Sequence, residues 1–256
     1  MDRSASRTHL VVFSDDWGRH PSSCQHLVSH LVDRFPTLWV NTIGTRSPRL
    51  SLEDAGKAAA KVVQWLRPPR SGQATVQLPE NLTVVTPRMW PGFRADWQRR
   101  FNAGQIARAV NRTMSDVWGK RDDTQQRVAI TTLPITSDLV AALDFDRWVY
   151  YCVDDFSVWP GLDAQVMQQM EREQVAKVDA VVAVSDALID RLNAMGRPDV
   201  SLLTHGIDLT HWRKASESPS QTVDSTQEGR TAARSTRVAP PASWGGVTGP
   251  ILLFWG

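Results

Sequence analysis

Cysteine is almost missing from this chain, and its two cysteines, Cys24 and Cys152, stand far apart with no second thiol near either. That excludes a disulfide framework and a thiolate zinc site, and it fits a reducing compartment. Long hydrophobic runs are lacking as well. No segment approaches the roughly 18 to 20 apolar residues that cross a bilayer, and MDRSASRTHLVVF is too short in apolar residues for a secretory signal. Nor is there an excess of one charge: 29 Lys and Arg face 27 Asp and Glu, so a pI near 8.7 gives no reason to invoke nucleic acid. The glycines at 245, 246 and 249 precede a strand-like run instead of following one, so the dinucleotide fingerprint is absent, and no Walker loop occurs.

What is present is an alternation of short apolar runs with helical patterns. In 256 residues with 41% apolar and 22% charged side chains there is enough material for one large core or two small ones. Strands are expected at 8–14, 37–43, 81–87, 127–134, 147–153, 179–185 and 200–206. Helical patterns lie between them at about 22–34, 51–66 and 94–118, before Val178 and after Ser185. Such alternation predicts an α/β fold, a Rossmann-like parallel sheet with helices on both faces. From 214 to 248 the chain turns to Ser, Thr, Glu, Arg, Pro, Ala and Gly with almost no apolar periodicity, the composition of a flexible linker or insertion. The last residues, GPILLFWG, read as a new buried strand with no partner after it. The expected organisation is a Rossmann-like domain over 1–213, a linker over 214–248, and the first strand of a further domain at 249–256.

Four motifs stand at strand exits: SDDWGRHP after the first strand, YYCVDDFSVWPG after the fifth, VAVSDAL after the sixth and HGIDLTHW after the seventh. In this order, and with GPILLFWG behind them, they resemble the N-terminal half of a GT-B-fold glycosyltransferase of the family 4 type. The resemblance implies an enzyme of two Rossmann-like domains that moves a sugar from a nucleotide-sugar donor to an acceptor hydroxyl, with retention and without a metal. It implies no cofactor, since the nucleotide sugar is a co-substrate held mainly by the second domain. The present chain would be the half that binds a sugar or glycolipid acceptor, and would be inactive alone. A cytoplasmic protein, peripheral at most at the inner membrane face, is the matching location. The alternative is a non-catalytic carbohydrate-binding or scaffolding protein that never had a donor domain.

In an open parallel sheet ligands bind beyond the carboxyl ends of the strands, so the loops at 14–21, 42–47, 86–93, 131–137, 154–160, 185–187 and 205–208 should share one rim. Asp16, Trp17, Arg19 and Trp159 supply the carboxylate, cation and indole faces that sugars use, and Gly18 lets the first loop turn tightly. Ser185, His205, Gly206 and Asp208 complete the substrate-binding candidates, with Asp154 and Asp155 as the catalytic ones. Each has a plainer reading. Adjacent carboxylates at a strand end point to opposite faces, so Asp154 and Asp155 cannot flank one glycosidic bond as a hydrolase pair, and either can cap the next turn. Where the family often has a His-Asp pair, this chain has Asp154, so the histidine's role does not transfer. Ser185 can be a helix N-cap and Asp208 an Asx-turn former.

Three further patterns are set aside. Asp144-Phe145-Asp146 resembles a metal-binding DxD but precedes its strand, at the wrong end of a sheet. His26 and His30 have ligand spacing on a helix but no third ligand. The arginines at 94, 99, 100, 108 and 112 on the helix 94–118 suit either a solvated face or a peripheral contact with anionic lipid.

Overall fold

The computed structural model describes residues 8–19, 22–42 and 78–206, all within one compact unit, Met1–Ile207. The expected helix at 51–66, the linker at 214–248 and the strand at 249–256 lie outside the described residues, as does Asp208.

Seven strands form one parallel sheet: β1 (Thr8–Ser14), β2 (Thr37–Asn41), β3 (Leu82–Val85), β4 (Gln126–Thr131), β5 (Arg147–Cys152), β6 (Ala180–Ala183) and β7 (Val200–Leu202). Their spatial order is β3-β2-β1-β4-β5-β6-β7. The protein is an α/β Rossmann-like fold. Among the described residues four α-helices cover the sheet: α1 (Ser23–Leu31), α2 (Asp96–Trp118), α3 (Ala164–Lys177) and α4 (Asp186–Ala194).

Alternation along the strands divides the core in two. Leu10, Val12 and Trp39 point to the face where Cys24 and Val28 of α1 pack. Val11, Phe13, Leu38 and Val40 point to the opposite face, against Ile106, Val110 and Met114 of α2, Met167 and Met170 of α3, and Leu192 of α4. Both faces are therefore sealed, as a parallel sheet requires, and the central strand β1 is a continuous apolar run for that reason. Each such side chain taken from water contributes roughly 1.5 to 3 kcal/mol.

The strand exits are shorter than the apolar runs suggest. β4 stops at Thr131 because the Thr131 hydroxyl accepts the Leu133 amide at 3.2 Å, and Pro134, which has no amide proton, opens a 3-10 turn over Pro134–Thr136. β7 keeps only three residues of the expected 200–206.

The buried stripe of α2 also differs from the expected one. Helical spacing places Trp97, Phe101, Val110, Met114 and Val117 near one face; Val110 and Met114 are buried, together with Asn102 and Ile106, but Trp97, Phe101 and Val117 are 55%, 38% and 50% exposed. The reason is local. Asn102 accepts the Trp90 amide at 2.6 Å and donates to the carbonyls of Trp90 (3.0 Å) and Gly92 (3.3 Å), so the helix turns its Asn102 side inward to close the preceding loop.

Candidate functional site

Because all seven strands run the same way, their carboxyl ends lie along one edge, and the described parts of the motif loops leave from that edge. Strand order reverses between β1 and β4, since β2 and β3 lie on one side of β1 and β4 to β7 on the other. A crevice is expected there. Two buried hydroxyls bridge the reversal: Ser14 and Thr132 approach to 2.9 Å, while the Thr132 amide donates to the Phe13 carbonyl at 3.0 Å.

The loop after β1 is built around Asp15. Its carboxylate accepts the hydroxyls of Ser14 (2.9 Å) and Ser22 (3.2 Å) and the Gln25 amide group (3.4 Å). Ser22 is the N-cap of α1 and also receives the Gln25 backbone amide at 3.3 Å. Gln25 then returns to the loop, donating to the Asp16 carbonyl at 3.2 Å and accepting the Gly18 amide at 3.0 Å. Gly18 has φ 75, in the left-handed region, where a side chain would be strained. Trp17 is tied by its amide to the Asn41 side chain at 3.1 Å, and its indole meets that of Trp39 edge to face at 4.8 Å. Asp16 pairs with Arg19 at 3.3 Å, and Gly18 and Arg19 are exposed. Sequence reasoning singled out Asp16 to Arg19 but missed Asp15, Gln25, Asn41 and Thr132, which hold them.

His205 reaches the same place. Its Nδ1 lies 2.5 Å from the hydroxyl of Ser23, the first residue of α1. Gly206 beside it is exposed, and a Cβ there would meet nothing within 4 Å, so space does not demand glycine.

The loop after β5 is a second centre. At the usual spacing of neighbouring strands its strand end lies about 10 Å from that of β1. Asp154 accepts the Trp159 indole N–H at 2.9 Å and the Asp155 amide at 2.8 Å. Asp155 caps the 3-10 turn Phe156–Val158 through the Ser157 amide (2.9 Å) and hydroxyl (2.6 Å), and it pairs with Arg191 at 3.0 Å. Arg191, from α4, also binds Glu171, whose carboxylate is 1% exposed and accepts the Tyr150 hydroxyl at 2.8 Å. Burial alone would lower the Arg191 pKa, but the Glu171 hydrogen bond and the charges of Glu171 and Asp155 raise it, so the guanidinium stays charged. Burial likewise pushes the Tyr150 hydroxyl well above its usual range. A buried chain Tyr150–Glu171–Arg191–Asp155 thus anchors the loop from beneath. The two carboxylates have different surroundings: Asp155 is held by a cap and an ion pair, while Asp154 faces the half-exposed Trp159.

Ser185 is the N-cap of α4, its hydroxyl accepting the Leu188 amide at 3.4 Å. Asp144 and Asp146, at the opposite end of the sheet, bind Arg121. Beside the rim, a cleft of about 310 Å³ opens between α2 and α3, lined by Asp96, Arg99, Arg100, Asp138, Gln169 and Glu173. Its central cation is already saturated, because Arg99 binds Asp138 (2.8 Å) and Glu173. The cleft therefore offers a ligand no free charge at its centre. Among the described residues no group of three His, Cys, Asp or Glu side chains could hold a metal ion, and no helix is long and apolar enough to cross a membrane.

No family model matches the chain, and no curated protein does.

Proposed function

We propose that this chain is the acceptor-binding domain of a GT-B-type glycosyltransferase, which moves a sugar from a nucleotide-sugar donor to an acceptor hydroxyl. The observation that carries the reading is the side chain standing over the start of α1. In a nucleotide-binding Rossmann domain the first strand-to-helix turn offers glycines and bare backbone amides to a diphosphate. Here the Asp15 carboxylate fills that position, bound by Ser22 and Gln25, and Asp16 follows it. Two carboxylates there repel a diphosphate. The same groups suit a neutral polyhydroxyl ligand, which needs oriented acceptors, a cation such as Arg19 and indole faces such as Trp17 and Trp159.

In this reading the donor diphosphate belongs to a second Rossmann-like domain, and the acceptor lies over the β1/β4 reversal with Asp16, Trp17, Gly18, Arg19, His205 and Gly206 around it. Of the two candidate catalytic carboxylates, Asp154 is the one free to meet an acceptor hydroxyl, oriented by the Trp159 N–H. Asp155 acts by holding the loop. The acceptor oxygen would bond to the anomeric carbon as the nucleoside diphosphate departs, and the hydroxyl proton would pass to a carboxylate.

Saturation-transfer NMR with a panel of alkyl pyranosides tests the binding half of the proposal. Wild type should show transfer to ring protons, and Asp16→Ala should weaken binding by about 10- to 100-fold, the worth of a charged hydrogen bond. Tight binding of a nucleoside diphosphate at the Asp15 loop, or no response to any saccharide, would overturn it.

A further inference from the structure

The chain has two tyrosines, adjacent on β5, and alternation along the strand sends their side chains to opposite faces of the sheet. Tyr150 is fully buried, and its hydroxyl donates to Glu171 at 2.8 Å. Tyr151 lies almost as deep, at 4% exposed, yet its hydroxyl makes no hydrogen bond with any described residue and is not sealed from solvent. A buried phenol ordinarily finds a partner, so an open one at this depth marks a place where the partner comes from outside.

Its position in the fold says where that place is. Tyr151 packs on the α1 side of the sheet, with Cys24 and Val184. Burial, and after it the neighbouring Cys24 thiol, raise the Tyr151 pKa, so the phenol keeps its proton at neutral pH. The same thiol lies against the Ser14 hydroxyl and near the Asp15 charge, and Ser14 meets Thr132 across the strand reversal at 2.9 Å. The phenol therefore reaches from β5 across β4 toward the start of α1, and its oxygen lies under the rim over the β1/β4 reversal. The Asp15 carboxylate there is already bound by Ser14, Ser22 and Gln25.

We propose that Tyr151 is a specificity contact of the acceptor site, whose hydroxyl pairs with one hydroxyl of the acceptor sugar and so selects for acceptors that carry it. This inference rests on the acceptor reading and adds to it. A phenol among apolar side chains discriminates sharply, because a ligand without that hydroxyl leaves the phenol desolvated and unpaired. Holding its proton, Tyr151 can donate to the acceptor oxygen or accept from its hydroxyl, but it does not serve as the base; that role stays with a carboxylate.

Deoxy-sugar binding separates this role from a merely structural one. The whole chain, as wild type and as Tyr151→Phe, is titrated by NMR with an alkyl pyranoside and with its monodeoxy derivatives. Tyr151→Phe loses no internal hydrogen bond, so its urea midpoint should match wild type, while its affinity for the parent pyranoside should fall about five- to ten-fold. One monodeoxy derivative should bind wild type more weakly by the same factor, and should bind Tyr151→Phe no worse than the parent does. Equal affinities in the two proteins, deoxy penalties that Tyr151→Phe leaves intact at every position, or a loss of stability that reveals an internal partner would each overturn the proposal. If Asp16→Ala weakens binding while Tyr151→Phe does not, Tyr151 leaves the site and the acceptor reading stands; if wild type binds no saccharide, both fall.

Discussion

Removing Arg191 exposes how much the rim depends on a buried charge. Arg191→Met keeps most of the side-chain volume but takes away the cation that binds Glu171 and Asp155. Glu171 is 1% exposed and would keep the Tyr150 hydroxyl and the weak Cys152 thiol contact at 3.9 Å, with no counter-charge. Breaking one side of a buried pair costs about 3 to 5 kcal/mol, because the remaining charge is stranded in low dielectric. In a domain of this size that is a fall in melting temperature of about 10 °C, a large share of a total stability of about 5 to 15 kcal/mol. Asp155 retains its cap but loses its anchor, so amides of the 154–159 loop should exchange faster than the helix amides of α3. The double variant Glu171→Gln/Arg191→Met removes the stranded charge and should recover most of the lost stability, since replacing both members of a buried pair is often close to neutral. Urea unfolding of wild type, single and double variants measures this. A single variant within about 1 kcal/mol of wild type would refute the reasoning, as would a double variant no more stable than the single one.

Three further outcomes follow from the geometry. Hydrogen bonding to Arg99 holds Glu173 below its ordinary value of 4.5, and Arg94 does the same for Asp163 from 3.8, so the native state binds fewer protons than the unfolded one. Stability should then be full above about pH 5 and fall as acid titrates these groups through their lowered values; Arg99→Met should cost about 2 kcal/mol at neutral pH and flatten the Glu173 part of that acid limb in pH-dependent unfolding. Burial pushes the thiols of Cys24 and Cys152 up to about 12, so neither should react with a disulfide reagent at pH 8 until denaturant is added. Gln25→Ala removes the bonds to Asp15, Asp16 and Gly18 together and should cost about 1 to 3 kcal/mol while loosening the 15–19 loop in amide exchange; an unchanged loop would show that Asp15 holds it alone.

The sheet was legible because burial on both faces writes itself as short β-branched and apolar runs: LVVF, LWV, VAI and AVVA each mark a strand, and their alternation with helical patterns implied parallel neighbours. Strand ends were less legible, since β4 is cut short by the Thr131 hydroxyl, a local bond that periodicity does not register. The helix α2 shows the larger failure. Helical spacing groups Trp97, Phe101 and Val117 with Val110 and Met114, and only the last two are buried; Asn102 turns inward to close the 90–92 loop, and the aromatics stay outside. At the rim, motif position located the loops, whereas the groups that hold them come from elsewhere in the chain. Gln25, Asn41, Thr132 and Arg191 are remote partners that spacing cannot reveal. Glu171 left a trace, because it falls with Met167, Met170, Gln174 and Val175 on the buried side of α3. A charged residue on a buried stripe implies a buried partner, and that partner proved to be Arg191.

The central proposal is that the rim over the β1/β4 reversal receives a sugar and not a nucleotide. Amide exchange of the whole chain, with and without a saturating alkyl pyranoside, measures this directly. The account predicts added protection in 14–19 and 22–26, with weaker protection in 154–159 and none in the turns at 119–125 and 143–146 at the far end of the sheet. Protection by a nucleoside diphosphate in place of the saccharide at 14–19, or saccharide protection confined to the far end, would contradict it.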